Sequence, residues 1–366
     1  MKKFAIRIFL AGHLLCLPVV FATAQPADVI AYYTGDAATL RKYPVQHLTQ
    51  IIYSFLHLKH NKLAFDNEQS RQNFLDIVML KKEYPRLKVL VSLGGWTGCY
   101  SCSPIFSSAA NRDTFATSVL NILKETNADG IDLDWEYPSI DGPPGHPYSP
   151  NDKANFTALL QVLRATLGPQ YELSFAAGGF QKYIDEAVDW GAVMPLVNRV
   201  NLMTYDLVNG YSTVTGHHTA LYSTPQLKES TDNCVQALLR KKVPAEKLVI
   251  GAAFYARTWK DVPDKNHGLY QSGVFKSGID FKHFPNELSK ENGFKLYWDK
   301  TAKAPYMYNA SKKEFATFDN KQSLKEKVSY VEKHKLGGIM FWELTNDTYQ
   351  NGLLQAISEA VKKIKP

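Results

Sequence analysis

Three acidic side chains alternate with apolar ones in the segment ADGIDLDWEYP, residues 128–138. From residue 130 to residue 135 the segment has the length and apolar character of a buried strand, with glycine at its start and proline after it. Because side chains alternate across a strand, Asp132, Asp134 and Glu136 should point to one face. Burying three carboxylates together is costly unless they are hydrogen-bonded or share protons. The pattern therefore indicates a functional cluster of acids.

The spacing of these acids suits proton transfer. Cα atoms on the same face of a strand lie ~6.6 Å apart, which lets neighbouring carboxylates touch. Acids this close share a proton, so Glu136, at the outer end, is predicted to be protonated near neutral pH and to serve as a general acid. Glycoside hydrolysis usually uses two carboxylates on opposite sides of the scissile bond, whereas these acids lie on one side. The pattern therefore favours a sugar that supplies its own nucleophile, such as a 2-acetamido group.

Two other interpretations of the acid cluster stay open. A divalent cation would suit carboxylate oxygens, but an EF-hand loop starting at Asp132 would require glycine in place of Tyr137 and glutamate in place of Pro143. Buried acids satisfied by neighbouring donors would instead form a structural cluster. The sequence offers no matched set of metal ligands, and we expect neither a metal nor an organic cofactor.

Eight short apolar segments provide the elements that would position the acids. They lie at residues 28–33, 50–58, 87–95, 130–136, 171–179, 198–206, 247–255 and 337–343. The helices predicted between them lie at residues 69–82, 109–127, 152–167, 182–196, 226–241 and 323–335. Eight strands alternating with helices predict an α/β fold, a closed (β/α)8 TIM barrel with its catalytic groups at the carboxyl ends of the strands. A doubly wound open sheet fits less well, because YYTGDAAT (32–39) is not a glycine-rich phosphate turn.

One interval breaks the alternation of strands and helices. Between the seventh and eighth strands, residues 258–318 carry aromatic residues, glycine and lysine but no long helical pattern. A connection this long in a compact domain usually has its own structure, which predicts a small α+β insertion subdomain. The barrel would then comprise residues 25–257 and 319–366.

The amino terminus has the pattern of an export signal. Lys2 and Lys3 precede an apolar run at residues 8–21 and the small-residue segment Ala-Thr-Ala at residues 22–24. A signal peptide at residues 1–24 predicts a secreted protein, extracellular or periplasmic, and a membrane anchor is the alternative. Its removal takes away three cationic residues and no acid, so the formal net charge falls from +7 to +4. That charge is too small and dispersed to indicate a nucleic-acid partner, and we expect a monomer without a membrane anchor.

Three cysteines remain after that segment, Cys99, Cys102 and Cys234. In an oxidising compartment Cys99 and Cys102 are expected to form a disulfide that closes a small loop, and two free thiols are the alternative. Cys234 would be left unpaired.

The segment DGIDLDWE resembles the DxxDxDxE signature of family 18 glycoside hydrolases, the chitinases and their relatives, with Asp129 as its first acid. Further segments similar to motifs of that family follow in order: SLGGW (92–96), NLMTYD (201–206), TGHHTALY (215–222), FYAR (254–257), APYMYN (304–309) and GGIMFWEL (337–344). The resemblance runs from about Asp28 to Ile364, and several ordered motifs on separate strands make it specific. The chain departs from the family pattern at residues 97–106, beside the cleft, and at residues 178–183.

The resemblance implies retaining, substrate-assisted hydrolysis of β-1,4-linked N-acetylglucosamine in chitin or its oligomers. By that resemblance Glu136 protonates the leaving glycosidic oxygen and then acts as the base for the incoming water. Asp134 would stabilise an oxazolinium-like intermediate, and Asp132 would hold the proton balance deeper in the barrel. Tyr205 would donate a hydrogen bond to the acetamido carbonyl.

The resemblance also implies a set of substrate contacts, with Trp342 as the floor of the central sugar subsite. The other expected contacts are Tyr32, Phe55, Trp96, Tyr137, Met203, Asp206 and Arg257. Arg257 is expected to reach the cleft floor, and a salt bridge with an acid of the insertion is the alternative. Core packing is the alternative for Phe55, and a tight turn is the expected role of the glycine pair at residues 94–95. By family analogy the insertion forms one wall of a deep cleft.

Two other functions use the same scaffold. A chitin lectin usually lacks the terminal acid of the signature, whereas Glu136, Asp134 and Tyr205 are all present. An endo-β-N-acetylglucosaminidase that acts on N-glycans would use the same acids and the same acetamido chemistry. The insertion favours a groove for a linear polymer, and therefore a chitinase.

Overall fold

The computed structural model describes residues 27–363, so the expected signal peptide at residues 1–24 lies outside the described range. In chain order the strands are β1 (Asp28–Tyr33), β2 (Gln50–Lys59), β3 (Lys62–Ala64), β4 (Lys88–Gly94), β5 (Gly130–Asp134), β6 (Glu172–Gly178), β7 (Arg199–Met203), β8 (Leu248–Ala253), β9 (Tyr255–Lys260), β10 (Val274–Asp280), β11 (Lys295–Asp299), β12 (Ala304–Asn309), β13 (Glu314–Thr317) and β14 (Gly338–Trp342). The α-helices are α1 (Ala37–Leu40), α2 (Glu68–Met79), α3 (Cys102–Phe106), α4 (Ala109–Thr126), α5 (Asp152–Leu167), α6 (Gln181–Glu186), α7 (Trp190–Val193), α8 (Thr231–Arg240), α9 (Phe284–Glu287), α10 (Lys321–Lys333) and α11 (Leu353–Lys363).

Eight parallel strands close into a barrel. Their order is β1, β2, β4, β5, β6, β7, β8 and β14, and β14 pairs with β1 to close the ring. The barrel strands are almost continuous runs of buried residues, as expected for parallel strands covered on the outside by helices. The predicted (β/α)8 barrel is therefore confirmed, and each of the eight predicted strand segments overlaps one of its strands.

The helices around the barrel begin at polar caps. The side chains of Ser108, Ser230 and Asn320 each accept a hydrogen bond from a backbone N–H in the first turn of α4, α8 and α10. Among residues 27–363, no helix combines the length and hydropathy that a bilayer crossing requires.

Three details of the structure differ from the sequence prediction. The predicted helix at residues 182–196 is two short helices, α6 and α7, because Asp189 caps a new helix by accepting from the N–H of Ala192. The predicted helix at residues 226–241 begins only at Thr231, after its cap. A short strand, β3, pairs antiparallel with β2 beside the barrel and was not predicted.

A second, antiparallel sheet follows the seventh barrel strand, with the order β10, β9, β13, β12 and β11. Its strands span residues 255–317, so the sheet begins three residues before the predicted insertion at residue 258. Only Phe254 separates β8 from β9, which places the second sheet at the carboxyl end of the barrel. Trp259, Tyr308 and Phe315 are buried in a core of its own.

Candidate active site

The acidic signature lies on β5 and directly after it, at the centre of the barrel. Asp132, Asp134 and Glu136 are 0%, 4% and 7% exposed. The alternate residue Trp135 packs outward, with its ring centroid 5.7 Å from that of Phe106 on α3 and 6.1 Å from that of Phe156 on α5. The strand alternation therefore puts the three acids on the inner face, as the sequence predicted.

Asp132, the deepest acid, is held by four side-chain donors from four strands. Tyr32 and Ser92 donate hydroxyl hydrogen bonds to Oδ2 over 3.0 and 3.2 Å. Ser174 and the amide of Asn201 donate to Oδ1 over 2.6 and 3.0 Å. Burial raises the pKa of Asp132, and these four hydrogen bonds oppose that rise. Of the four donors, only Tyr32 was among the predicted site residues, and it was predicted as a substrate contact and not as a partner of Asp132.

The two outer acids are a tightly coupled pair. Burial, followed by the charges of Glu136 and Asp132, raises the pKa of Asp134 well above its ordinary value. Oδ1 of Asp134 is buried and has no hydrogen-bond partner within residues 27–363. Burial also raises the pKa of Glu136 to about 7. A carboxyl group that still holds its proton near neutral pH beside a second acid can act as a general acid.

The glycine pair at the end of β4, Gly94 and Gly95, lets the backbone there lie close against β5. Gly94 has a positive φ of 112°, and a Cβ there would overlap the carbonyl oxygen of Asp134. Gly95 has a φ of 86°, and its N–H donates to the same oxygen over 2.9 Å. A Cβ on Gly95 would also overlap the ring of Phe55. The two glycines thus form the expected tight turn against β5.

Aromatic side chains lie beside the acids at the carboxyl end of the barrel. Phe55 and Trp342 have ring centroids 5.5 Å apart and an interplanar angle of 18°. The ring centroid of Tyr32 lies 5.9 Å from that of Trp342, with an interplanar angle of 54°. Trp342 is only half-buried, so it offers a flat apolar surface of the kind that packs against the C–H face of a pyranose.

Tyr205 and Asp206 follow β7 at the same end of the barrel. Burial raises the pKa of Tyr205 well above its ordinary value, so the hydroxyl stays protonated and is able to donate. Asp206 has a φ of 55° and accepts two hydrogen bonds from Arg257, 2.7 and 2.6 Å long. Burial alone would raise the pKa of Asp206, but the hydrogen bonds of Arg257 and His218 hold it well below its ordinary value. Asp206 is therefore an anion, already engaged by a bidentate partner.

The salt bridge of Arg257 differs from the alternative considered for this residue. Its salt bridge is with Asp206 of the barrel and not with an acid of the insertion. The guanidinium still lines the cleft, in a cavity of about 240 Å³ that it shares with Trp342. The other lining residues are Tyr255, Gly278, Ile279, Asp280 and Asn346. The cavity therefore lies between the last barrel strand and β9 and β10 of the second sheet.

The remaining predicted contacts differ in exposure. Trp96 is 41% exposed, and its ring lies 6.2 Å from that of Tyr137. Tyr137 and Met203 are each 9% exposed, so both are almost fully buried. Tyr137 packs edge-on against Phe180, its ring centroid 5.5 Å away.

The loop beside Trp96 is closed by a disulfide between Cys99 and Cys102, whose Cα atoms are 5.2 Å apart. Cys234 is a buried free thiol on α8. Within residues 27–363 no group of three or more His, Cys, Asp or Glu side chains is arranged to hold a metal ion.

Comparison with known proteins gives a consistent result. The family model for glycosyl hydrolases family 18 matches residues 28–347. Chitinase A1 from Niallia circulans is 35% identical over 308 residues, which cover 77% of this chain and 44% of that protein. Chitinase 1 from Aphanocladium album is 31% identical, covering 82% of this chain and 76% of that protein. The chain spans less than half the length of Chitinase A1 and of Chitinase A from Pseudoalteromonas piscicida.

Solved structures extend the likeness to the whole fold. A structure described as a novel glycoside hydrolase family 18 N-acetylglucosaminidase from Paenibacillus barengoltzii is 38% identical, with a TM-score of 0.83. The alignment covers 91% of this chain and 99% of that one. Chitinase ChiA74 from Bacillus thuringiensis has a TM-score of 0.86 at 27% identity, over 93% of this chain and 70% of that one. The chain therefore belongs to glycosyl hydrolase family 18.

Proposed function

We propose that this protein is a secreted chitinase that hydrolyses β-1,4-linked N-acetylglucosamine polymers or oligomers with retention of configuration. The observation that carries the proposal is the buried pair of Asp134, the last residue of β5, and Glu136, two residues further on, in which burial raises the pKa of Glu136 to about 7. The other carboxylates nearby are already engaged. Asp206 is held by Arg257, and Glu343 accepts from the side chain of Thr34 and the backbone of Thr345. The sugar's own acetamido oxygen is then the nucleophile.

Glu136 donates its proton to the glycosidic oxygen as the bond to C1 breaks. The acetamido oxygen attacks C1 from the opposite face and forms an oxazolinium-like ring, whose N–H is stabilised by Asp134. Tyr205 donates to the acetamido oxygen before the attack and fixes its direction. Glu136, now ionised, takes a proton from the water that opens the ring. Deeper in the barrel, Asp132 sets how protons are shared among the three acids. Its four side-chain donors hold it in place.

The aromatic pair of Trp342 and Phe55 forms the floor of the central subsite, with Tyr32 beside it. Residues 258–318 act as an insertion subdomain that provides one wall of the cleft, on the barrel formed by residues 25–257 and 319–366. The cavity shared by Trp342 and Arg257 supports that arrangement, because β9 and β10 line its far side. Trp96 lies further along, where its exposed ring suits an outer subsite.

The relatives support chitin as the substrate, since several are named chitinases. The Paenibacillus relative is described as an N-acetylglucosaminidase, so release of single sugars is the second candidate. An endo-β-N-acetylglucosaminidase acting on N-glycans is the remaining alternative, because it would use the same acids. The export pattern at residues 1–24 supports secretion, and we expect the mature protein to act as a monomer.

The test is hydrolysis of chitopentaose and of a high-mannose N-glycan by the wild type, Glu136→Gln and Glu172→Gln. Glu172→Gln makes the same chemical change in a buried glutamate at the amino-terminal end of β6. We expect the wild type and Glu172→Gln to cleave chitopentaose, and Glu136→Gln to lose on the order of 10² to 10⁴ in kcat while still binding it. Fragments of two or three sugars indicate a chitinase, and single sugars alone indicate the second candidate. Cleavage of the N-glycan only, or binding of chitopentaose without cleavage by the wild type, would overturn the proposal.

A further inference from the structure

A lysine lies fully buried beneath the candidate active site. Lys327 is on α10, and its side chain is 1% exposed. Its ammonium group donates to Asp319 Oδ2 over 2.7 Å, to the hydroxyl of Thr219 over 2.6 Å and to the carbonyl oxygen of Gly251 over 3.2 Å. A buried charge is tolerated only when it is paired and hydrogen-bonded, and all three of these partners serve that purpose.

Asp319, the partner of this lysine, joins three separate parts of the chain. It lies two residues after β13, where the chain leaves the second sheet, and it is 0% exposed. Its carboxylate accepts from the backbone N–H of Ala253 on β8 over 3.0 Å, from Thr219 over 2.9 Å and from Ser323 over 2.7 Å. The ion pair therefore ties the end of the second sheet to the seventh barrel strand and to the segment that follows the sixth.

A short path leads from the ion pair to Tyr205. The carbonyl oxygen of Gly251, which accepts from Lys327, also accepts from the hydroxyl of Thr204 over 3.1 Å. The N–H of Gly251 donates to the same hydroxyl over 3.0 Å. Thr204 directly precedes Tyr205 in the chain, and a Cβ on Gly251 would lie 2.9 Å from Cε1 of the Tyr205 ring. The backbone of Gly251 is thus the surface against which that ring rests.

We infer that the Lys327–Asp319 ion pair is a positioning device for Tyr205, which acts through the backbone of Gly251 and the hydroxyl of Thr204. The inference rests on the proposed function, in which Tyr205 directs the acetamido oxygen onto C1. A buried ion pair generally adds little stability compared with apolar side chains of similar volume. This one instead connects the backbone of β8 at Gly251 and Ala253, on which the Tyr205 ring rests, to the hydroxyl of Thr219.

The test compares five single variants with the wild type on chitopentaose. Lys327→Met removes the ammonium group, and Asp319→Asn removes the opposite charge at nearly constant size. Thr204→Val removes the linking hydroxyl, and Thr204→Ser, which keeps it, is the conservative control. Glu172→Gln serves as the control for a buried ion pair away from the site, because Glu172 pairs with Arg199 at the amino-terminal end of the barrel.

We expect Lys327→Met, Asp319→Asn and Thr204→Val each to lower kcat about tenfold and to change KM less than about twofold. A tenfold loss is the size of effect expected when one or two hydrogen bonds are misplaced. Affinity for a thiazoline analogue of the oxazolinium-like intermediate should fall by a similar factor. Thr204→Ser and Glu172→Gln should keep wild-type kcat, even where Glu172→Gln lowers the urea midpoint. In a Tyr205→Phe background, Lys327→Met should have less than about a twofold effect on kcat, because both changes act on one hydroxyl.

Equal reductions of kcat by Lys327→Met with and without the Tyr205 hydroxyl would overturn the inference. A wild-type kcat in Thr204→Val would also overturn the inference. This variant keeps the ion pair intact, so it tests the inference even if Lys327→Met does not fold. A wild type without turnover on chitopentaose would refute the proposed function itself, and this inference with it. If the wild type turns over chitopentaose and kcat is unchanged in Lys327→Met, Asp319→Asn and Thr204→Val, the inference is refuted but the proposed function is not.

Discussion

Replacing Glu136 with glutamine should stabilise the folded protein above neutral pH while it removes activity. Glu136 is 7% exposed, and burial raises its pKa from an ordinary 4.5 to about 7. Between these two pH values the unfolded chain releases the proton and the folded protein keeps it, so the wild type loses stability as the pH rises. Glutamine cannot ionise and resembles the protonated acid, so the variant avoids that loss.

The size of the effect follows from the two pKa values. Their difference of about 2.5, at about 1.4 kcal/mol for each pH unit, gives about 3 kcal/mol of unfolding free energy. The difference between variant and wild type should therefore be small near pH 4.5, grow up to about pH 7 and stay constant above it. The neighbouring Asp134 changes the result in the same direction, because its own pKa is raised partly by the charge of Glu136.

Urea unfolding, followed by tryptophan fluorescence at pH 5 and pH 8, measures this difference. Glu332→Gln, the same change at an exposed position on α10, provides the baseline for losing one carboxylate. The unfolding free energy of Glu136→Gln minus that of the wild type should increase from pH 5 to pH 8. The corresponding difference for Glu332→Gln should not increase. An equal difference between variant and wild type at pH 5 and pH 8, or a difference that shrinks as the pH rises, would refute the reasoning about the buried acid.

Three further predictions concern activity on a chitin oligosaccharide. Above about pH 7, kcat/KM of the wild type should fall tenfold per pH unit, because Glu136 loses the proton that it donates, and a flat profile to pH 9 would contradict that role. Asp134→Asn should lower kcat at least about a hundredfold, because a neutral amide cannot stabilise the positive charge of the oxazolinium-like ring. A wild-type kcat in this variant would exclude Asp134 from that step. Trp342→Ala should raise KM about tenfold through the loss of the apolar sugar platform, and an unchanged KM would place the sugar elsewhere.

The barrel and the acid face were predictable because both depend on local patterns. Buried parallel strands are short apolar runs, and each of the eight runs found in the sequence overlaps a strand of the barrel. The period of two along β5 was enough to put Asp132 and Asp134 on the inner face with Glu136. The turn at Gly94 was predictable for the same reason, since a glycine pair at the end of a strand indicates close approach of two backbones.

The network around Asp132 was not predictable, because it depends on the register between strands. Ser92 and Ser174 lie directly beside Asp132 in the pairing of β4, β5 and β6. Nothing in the sequence marks a lone serine as a partner when the alignment of neighbouring strands is unknown. Arg257 and Asp206 present a similar difficulty, since 51 positions separate them along the chain and their ion pair depends on how the second sheet sits on the barrel. The break between α6 and α7 depends on a cap at Asp189 within an otherwise helical pattern.

The central claim is that Glu136 donates the proton in a hydrolysis that passes through an intermediate at C1 and therefore retains the configuration of the sugar. The most direct measurement is the anomeric form of the products of chitopentaose, followed by proton NMR from the first minute, for the wild type and Glu136→Gln. The mechanism predicts that the wild type releases the β-anomer first, which then equilibrates slowly in water, and that the variant releases almost none. Release of the α-anomer first, or release of the β-anomer by Glu136→Gln at the wild-type rate, would contradict it.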